Sequence, residues 1–97
     1  MIYHIADEAG WEHALHGGSY EHPSLKTEGF IHTCEVGQIA SVRKRYYEGI
    51  ASLLLLHIDE SLVASQIKYE LSPSVNETFP HIYGPLNTSA VIKTEII

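Results

Sequence analysis

The chain has 97 residues, 44% hydrophobic and 19% charged, which suits one core of two packed layers and is too apolar for disorder. Twelve acidic residues against six basic ones leave a formal charge of -6; nucleic acid, held mainly by Lys and Arg, is excluded as the expected partner. One cysteine, Cys34, excludes an intrachain disulfide framework, and the longest apolar run, Leu53–Leu56, falls far short of the roughly 20 residues of a membrane helix.

With no basic and apolar leader at the N-terminus, the expectation is a single cytoplasmic domain over residues 1–97 that meets no membrane. Ile2–Ile5 is β-prone. Asp7 is a good N-cap for a first helix over Glu8–His16, with Trp11, Ala14 and Leu15 at helical spacing and Gly17-Gly18 closing it. The polar stretch Ser19–Glu28, with Pro23, predicts a surface loop, and Phe30–Thr33 a short strand. Val36, Ile39, Ala40, Arg43, Tyr46 and Tyr47 fall on one face of a 3.6-residue period, predicting a second helix ended by Gly49 and capped by Thr33 or Glu35. Leu53–Ile58 suits a strand covered on both faces, followed by a helical turn over Asp59–Val63. Ile67–Leu71 alternates, with Lys68 and Glu70 opposite Ile67, Tyr69 and Leu71. Phe79, His81 and Tyr83 share a face of the next strand, Gly84-Pro85 stops it, and Ala90–Ile97 gives the last. Six short strands and two helices, with strands clustered late, read as α+β.

Seven histidines are many for this length, and their charge rises between about pH 7 and 5. Two segments concentrate chemistry. His32-Thr33-Cys34 leads into the second helix, whose N-terminus offers free N–H groups to a phosphate or carboxylate; the plainer reading is a strand with a capping Thr and a buried Cys. In Phe79–Leu86, two prolines and a glycine fix the backbone around His81 and Tyr83, which aims polar groups; the plainer reading is an edge strand with core aromatics. Glu70, two residues from Lys68 on the same face, reads from the residues alone as a solvated carboxylate before a catalytic one. Arg43 lies in the helical stripe and Arg45 on the solvated face opposite it. His4, a strand histidine, becomes a site residue if His32 and His81 converge on it. Three imidazoles would then also suit zinc, although no His-x-His or paired Cys spacing supports a metal centre.

Ile2-Tyr3-His4-Ile5, Trp11, Gly29-Phe30-Ile31-His32, Arg45-Tyr46, Leu53–Asp59, Tyr69-Glu70 and above all Phe79-Pro80-His81-Ile82-Tyr83-Gly84-Pro85-Leu86 resemble the small bacterial family of domain of unknown function 952. One departure is Cys34, where the family commonly has Ser. The resemblance implies a fold like that of the ADP-ribosylation superfamily: a small split antiparallel or mixed sheet with two main helices, ADP-ribosyltransferase-like. Tyr3-His4 is similar to the Tyr-His pair whose His holds NAD ribose there, and His32-Thr33-Cys34 to the His-x-Ser strand of RNA 2′-phosphotransferases. The resemblance thus implies NAD, ADP-ribose or a related phosphorylated small molecule as ligand, bound by His4, Thr33, Cys34, Arg45 and Tyr83. Glu70, His32 and His81 would act in ribosyl transfer or hydrolysis. Two other readings stand beside it: a metal-binding protein using the histidines, and an interaction module docking through Phe79–Leu86.

Overall fold

The computed structural model describes residues 1–97. Strand β1 runs Ile2–Asp7 and passes directly into helix α1, Glu8–Gly17. Asp7 caps α1 by accepting the Gly10 N–H at 2.6 Å, and Gly18 ends it in the left-handed region at φ 76°, donating its N–H to Ala14 O. The stretch Ser19–Glu28 is more ordered than its polar composition predicts. It holds strand β2, Ser19–Tyr20, and a one-turn helix α2, Ser24–Thr27. Two side chains account for this: Tyr20 is buried in the main core, and buried Ser24 donates its hydroxyl to Phe30 O at 2.7 Å.

Strand β3 is only Ile31–His32. A 3-10 turn over Val36–Gln38 then leads into helix α3, Ile39–Tyr47. The apolar stripe of this helix differs from the predicted one: Val36 and Tyr46 are exposed, while Ile39, Val42 and Tyr47 pack inward. Val36 lies ahead of the α-helix, in the opening 3-10 turn, and Ile39, Val42 and Tyr47 are the helix residues that reach the small cluster of Ile5, Leu53 and Leu55.

Strand β4, Leu53–Ile58, is buried on both faces, as its continuous apolar run requires. Leu54, Leu56 and Ile58 enter a core cluster of twelve residues with Ile2, Trp11, Ile31 and Ile82, whereas Leu53 and Leu55 join Ile5 beneath α3. A 3-10 turn at Glu60–Leu62, capped by Asp59, precedes β5, Gln66–Ser72, and β6, Glu77–Tyr83. A short β7, Leu86–Asn87, which the sequence reading lacks, pairs with β2; a turn at Thr88–Ala90 then leads to β8, Val91–Ile96. Gly84, at φ 146°, turns the chain out of β6 where an added Cβ would meet Ser65.

The fold is therefore α+β, with every strand pair antiparallel. The sheets run β1-β4-β8, β3-β6-β5 and β2-β7. Residues 31–34 join the first two. Ile31 and His32 pair with Ile82 and His81 on β6, and two residues later Cys34 exchanges both backbone hydrogen bonds with Tyr3 on β1, each at 2.8 Å. No helix is long and apolar enough to cross a membrane.

Because β4 is central to its sheet and Leu56 is fully buried, Leu56→Ala is expected to lower stability by about 2–5 kcal/mol. Ile92→Ala, at an exposed position, should change it by no more than about 0.5 kcal/mol. Urea unfolding of both variants checks the contrast.

Candidate functional site

The period-two geometry of the β3-β6-β5 sheet gathers polar groups on one face. His32 pairs with His81, His81 with Lys68, and Phe79 with Glu70, so these side chains and Tyr83 lie on the same side. Ile31, Ile82 and Ile67 occupy the other side, against the core. The polar face borders a cavity of about 710 Å³ walled by β1, the loop before β3, α3 and the ends of β5 and β6. Tyr3, Phe30, Tyr46 and Tyr47 supply aromatic walls; His22, Glu28, His32, Thr33, Cys34 and His81 supply polar and sulfur groups.

Two imidazoles dominate this cavity. The His32 and His81 rings meet edge to face with centroids 5.4 Å apart, and Phe30 stacks on His81 at 4.0 Å and tilts against His32 at 4.8 Å. Each imidazole has its own carboxylate. His32 Nε2 lies 2.8 Å from Glu28 Oε2, and His81 Nδ1 lies 2.9 Å from Glu70 Oε1. Tyr83 donates its hydroxyl to the same Glu70 oxygen. These bonds, Tyr83 first and His81 second, hold the Glu70 carboxyl below its usual range, and Glu70 in turn raises the Tyr83 phenol. With Nδ1–H given to Glu70, neutral His81 keeps Nε2 as a free acceptor, and that nitrogen has no protein partner and is not sealed from solvent.

His4 is placed differently from the reading that made it a ligand contact. Its ring is buried and does not line the cavity. Nδ1 is 2.5 Å from the His32 carbonyl oxygen, which can only accept, so Nδ1 carries the proton. Nε2 then accepts from the Tyr20 hydroxyl at 2.9 Å. Burial lowers the His4 pKa from 6.5 to about 3 and also raises that of Tyr20. Both nitrogens are consumed in tying β1 to β3 and β2.

Three further expected contacts are placed as follows. Thr33 lines the cavity, but its buried hydroxyl donates to Pro80 O at 2.6 Å and has no second proton for a ligand. Cys34 lines the cavity but is 2% exposed, and burial pushes its thiol up to about 11, which keeps it protonated. Arg45 lies outside the cavity, stacked at 5.7 Å on Tyr46 and 3.9 Å from Glu77. The helix end expected to receive phosphate is already occupied. The Glu35 side chain accepts from the Gln38 backbone while Gln38 Oε1 accepts the Glu35 N–H at 2.9 Å, a reciprocal cap.

Glu70 and Tyr83 flank His81 but stand outside the cavity lining. His22 and Glu28 are cavity residues that the sequence reading did not single out, and Phe30 entered it only within the Gly29–His32 motif. His22 packs edge to face on His4 at 5.3 Å and accepts the Ser24 N–H at 3.1 Å; burial lowers its pKa. The only sequence signal for Glu28 is its four-residue spacing from His32. No group of three or more His, Cys, Asp or Glu side chains is arranged to hold a metal ion. Within Phe79–Leu86, Phe79–Ile82 and Leu86 are buried, Tyr83 and Gly84 half-buried and Pro85 exposed.

Burial of neutral His4 makes stability depend on pH. The folded pKa is about 3 and the ordinary value 6.5, so between them the unfolded chain binds a proton that the native chain refuses. The stability is fully present above pH 6.5 and is lost as pH falls toward 3, with His22 adding in the same direction. Urea unfolding across this window should show the decline, and His4→Gln should flatten it; an equal slope in the variant contradicts the assignment.

The structure is similar to two crystal structures of protein CC0527 from Caulobacter crescentus, one of them a double mutant. Each has a TM-score of 0.88 at 30% sequence identity, covering 98% of this chain and 83% of that one. The solution NMR structure of CC0527 gives a TM-score of 0.84 at 30% identity, over 99% of this chain and 83% of that one. No curated protein matches the chain. The DUF952 family, described as protein of unknown function, matches residues 5–94. With the match spanning nearly the whole chain, the protein belongs to the DUF952 family.

Proposed function

We propose that this chain binds a ribosyl-bearing small molecule, NAD or ADP-ribose, in the cavity and acts at its ribosyl carbon by acid–base chemistry centred on His81. The observation that carries this reading is the Glu70–His81 pair beside Phe30 and His32. A carboxylate on Nδ1 fixes the imidazole's tautomer and leaves Nε2 to take a proton from a hydroxyl or water at the cavity wall. Glu70 acts through His81 as a positioning residue. Glu28, which faces the cavity, supplies negative charge where a ribosyl centre becomes cation-like. Tyr3, Phe30, Tyr46 and Tyr47 offer faces and edges to a planar base or nicotinamide ring.

The lining contains no Lys or Arg, and the end of α3 is capped by Glu35. A pyrophosphate therefore finds its place at the open rim, and affinity rests on the ring and ribose. On this reading ADP-ribose and NAD bind no more tightly than the corresponding nucleosides.

Calorimetric titration with NAD, ADP-ribose, adenosine and nicotinamide riboside tests the proposal. Saturable binding is expected, weakened about tenfold or more by His81→Ala and by Phe30→Ala, a loss of about 1.4 kcal/mol, and unchanged by Arg45→Ala. Nicotinamide release from NAD should fall in Glu70→Gln through kcat with little change in KM. Failure of the wild type to bind any of the four, or equal binding by the His81 and Phe30 variants, overturns it.

A further inference from the structure

Strand β8 is the outer strand of the β1-β4-β8 sheet. Ile97 donates its N–H to Leu53 O at 3.2 Å, so the backbone groups of Ile97, Glu95 and Lys93 point toward β4. By the two-residue alternation, those of Thr94 and Ile96 point away from the sheet, and Ile92 is the extra residue of a bulge between the pairs His57–Lys93 and Ile58–Val91. From Thr94 to Ile96 the outward edge presents unpaired donors and acceptors, and such groups are a template for another strand. Its ends carry two exposed apolar side chains, Ile92 at 59% and Ile96 at 80%.

We infer that two copies of this chain pair antiparallel through β8, about a two-fold axis centred on Thr94. The order of charges selects both the occupant and the register. In a two-fold ladder centred on Thr94, Lys93 stands opposite Glu95 of the second copy and Glu95 opposite its Lys93, while Ile92 stands opposite Ile96. Centring on Lys93 or on Glu95 sets like charges directly opposite, which is unfavourable. The backbone agrees with this register. Thr94 points outward and forms the hydrogen-bonded pair at the axis, so Lys93 and Glu95 fall in the non-hydrogen-bonded pairs, where facing Cα atoms are about 4.5 Å apart and side chains are closest. A lone edge lysine would guard the strand against pairing. Glu95, two residues on and within its own chain 2.5 Å from His57 Nε2 and 3.8 Å from Lys93 Nζ, turns that guard into a self-complementary pair.

The strand is six residues long, so the contact is small and the association weak. This edge is distinct from the β3-β6-β5 sheet that carries the cavity, and the inference stands independently of the ligand.

Sedimentation equilibrium of the full chain from about 10 μM to about 1 mM at low salt tests it. The expected mass rises from 10.8 kDa toward twice that value with concentration. Lys93→Glu and Glu95→Lys, each placing like charges opposite at two positions, should weaken association about tenfold or more. The double reversal Lys93→Glu with Glu95→Lys should restore it. Both side chains are well exposed, and unchanged circular dichroism establishes that the variants fold. A wild type that stays at 10.8 kDa throughout, or a double reversal as weak as the single variants, overturns the inference.

Discussion

One buried imidazole holds the two main sheets in register. His4 sits on β1, gives its Nδ1 proton to the His32 carbonyl, and receives the Tyr20 hydroxyl on Nε2. A polar ring at 2% exposure is tolerable only because both nitrogens are paired, since leaving either partner unsatisfied would cost about 1–3 kcal/mol. This bond fixes the backbone at His32, and His32 pairs with His81 across the ladder. The Tyr3–Cys34 bridge pins the same segment two residues later. The positions of both cavity imidazoles therefore descend from a histidine that does not line the cavity.

The site follows from how charge is distributed around that frame. The acidic excess of the chain is locally useful: Glu28 and Glu70 each hold one imidazole by a ring nitrogen. The positive charges lie elsewhere, with Arg45 against Glu77 and Lys68 over the Tyr83 ring at 4.8 Å. What remains around the cavity is aromatic surface with hydrogen-bonding groups at one end. Such a lining recognises rings and hydroxyls better than phosphates.

Much of the fold was legible in the residues. Asp7 and Gly18 bracket the first helix as capping rules require, and the Leu53–Ile58 run describes a strand buried on both faces. The alternation of Phe79, His81 and Tyr83 places them on one face, where the structure has them. Less visible were features set by a single tertiary contact. Tyr20 and Ser24 order a stretch that looks like loop, and contact with Ile5, Leu53 and Leu55 draws in Ile39, Val42 and Tyr47 while Val36 and Tyr46 stay exposed. Site residues divide along the same line. The convergence of His32 and His81 follows from strand periodicity once β3 and β6 are adjacent. That the side chains of His4 and Thr33 are consumed internally depends on which backbone carbonyls lie opposite them, and that Cys34 is buried depends on the packing around it; one sequence carries no signal for either.

Nitrogen-15 NMR of the histidine rings tests the central claim most directly. The account predicts that His4 shows a protonated Nδ1, an unprotonated Nε2, and no titration between about pH 5 and 8. A His4 ring carrying its proton on Nε2, or titrating near 6.5, would contradict it.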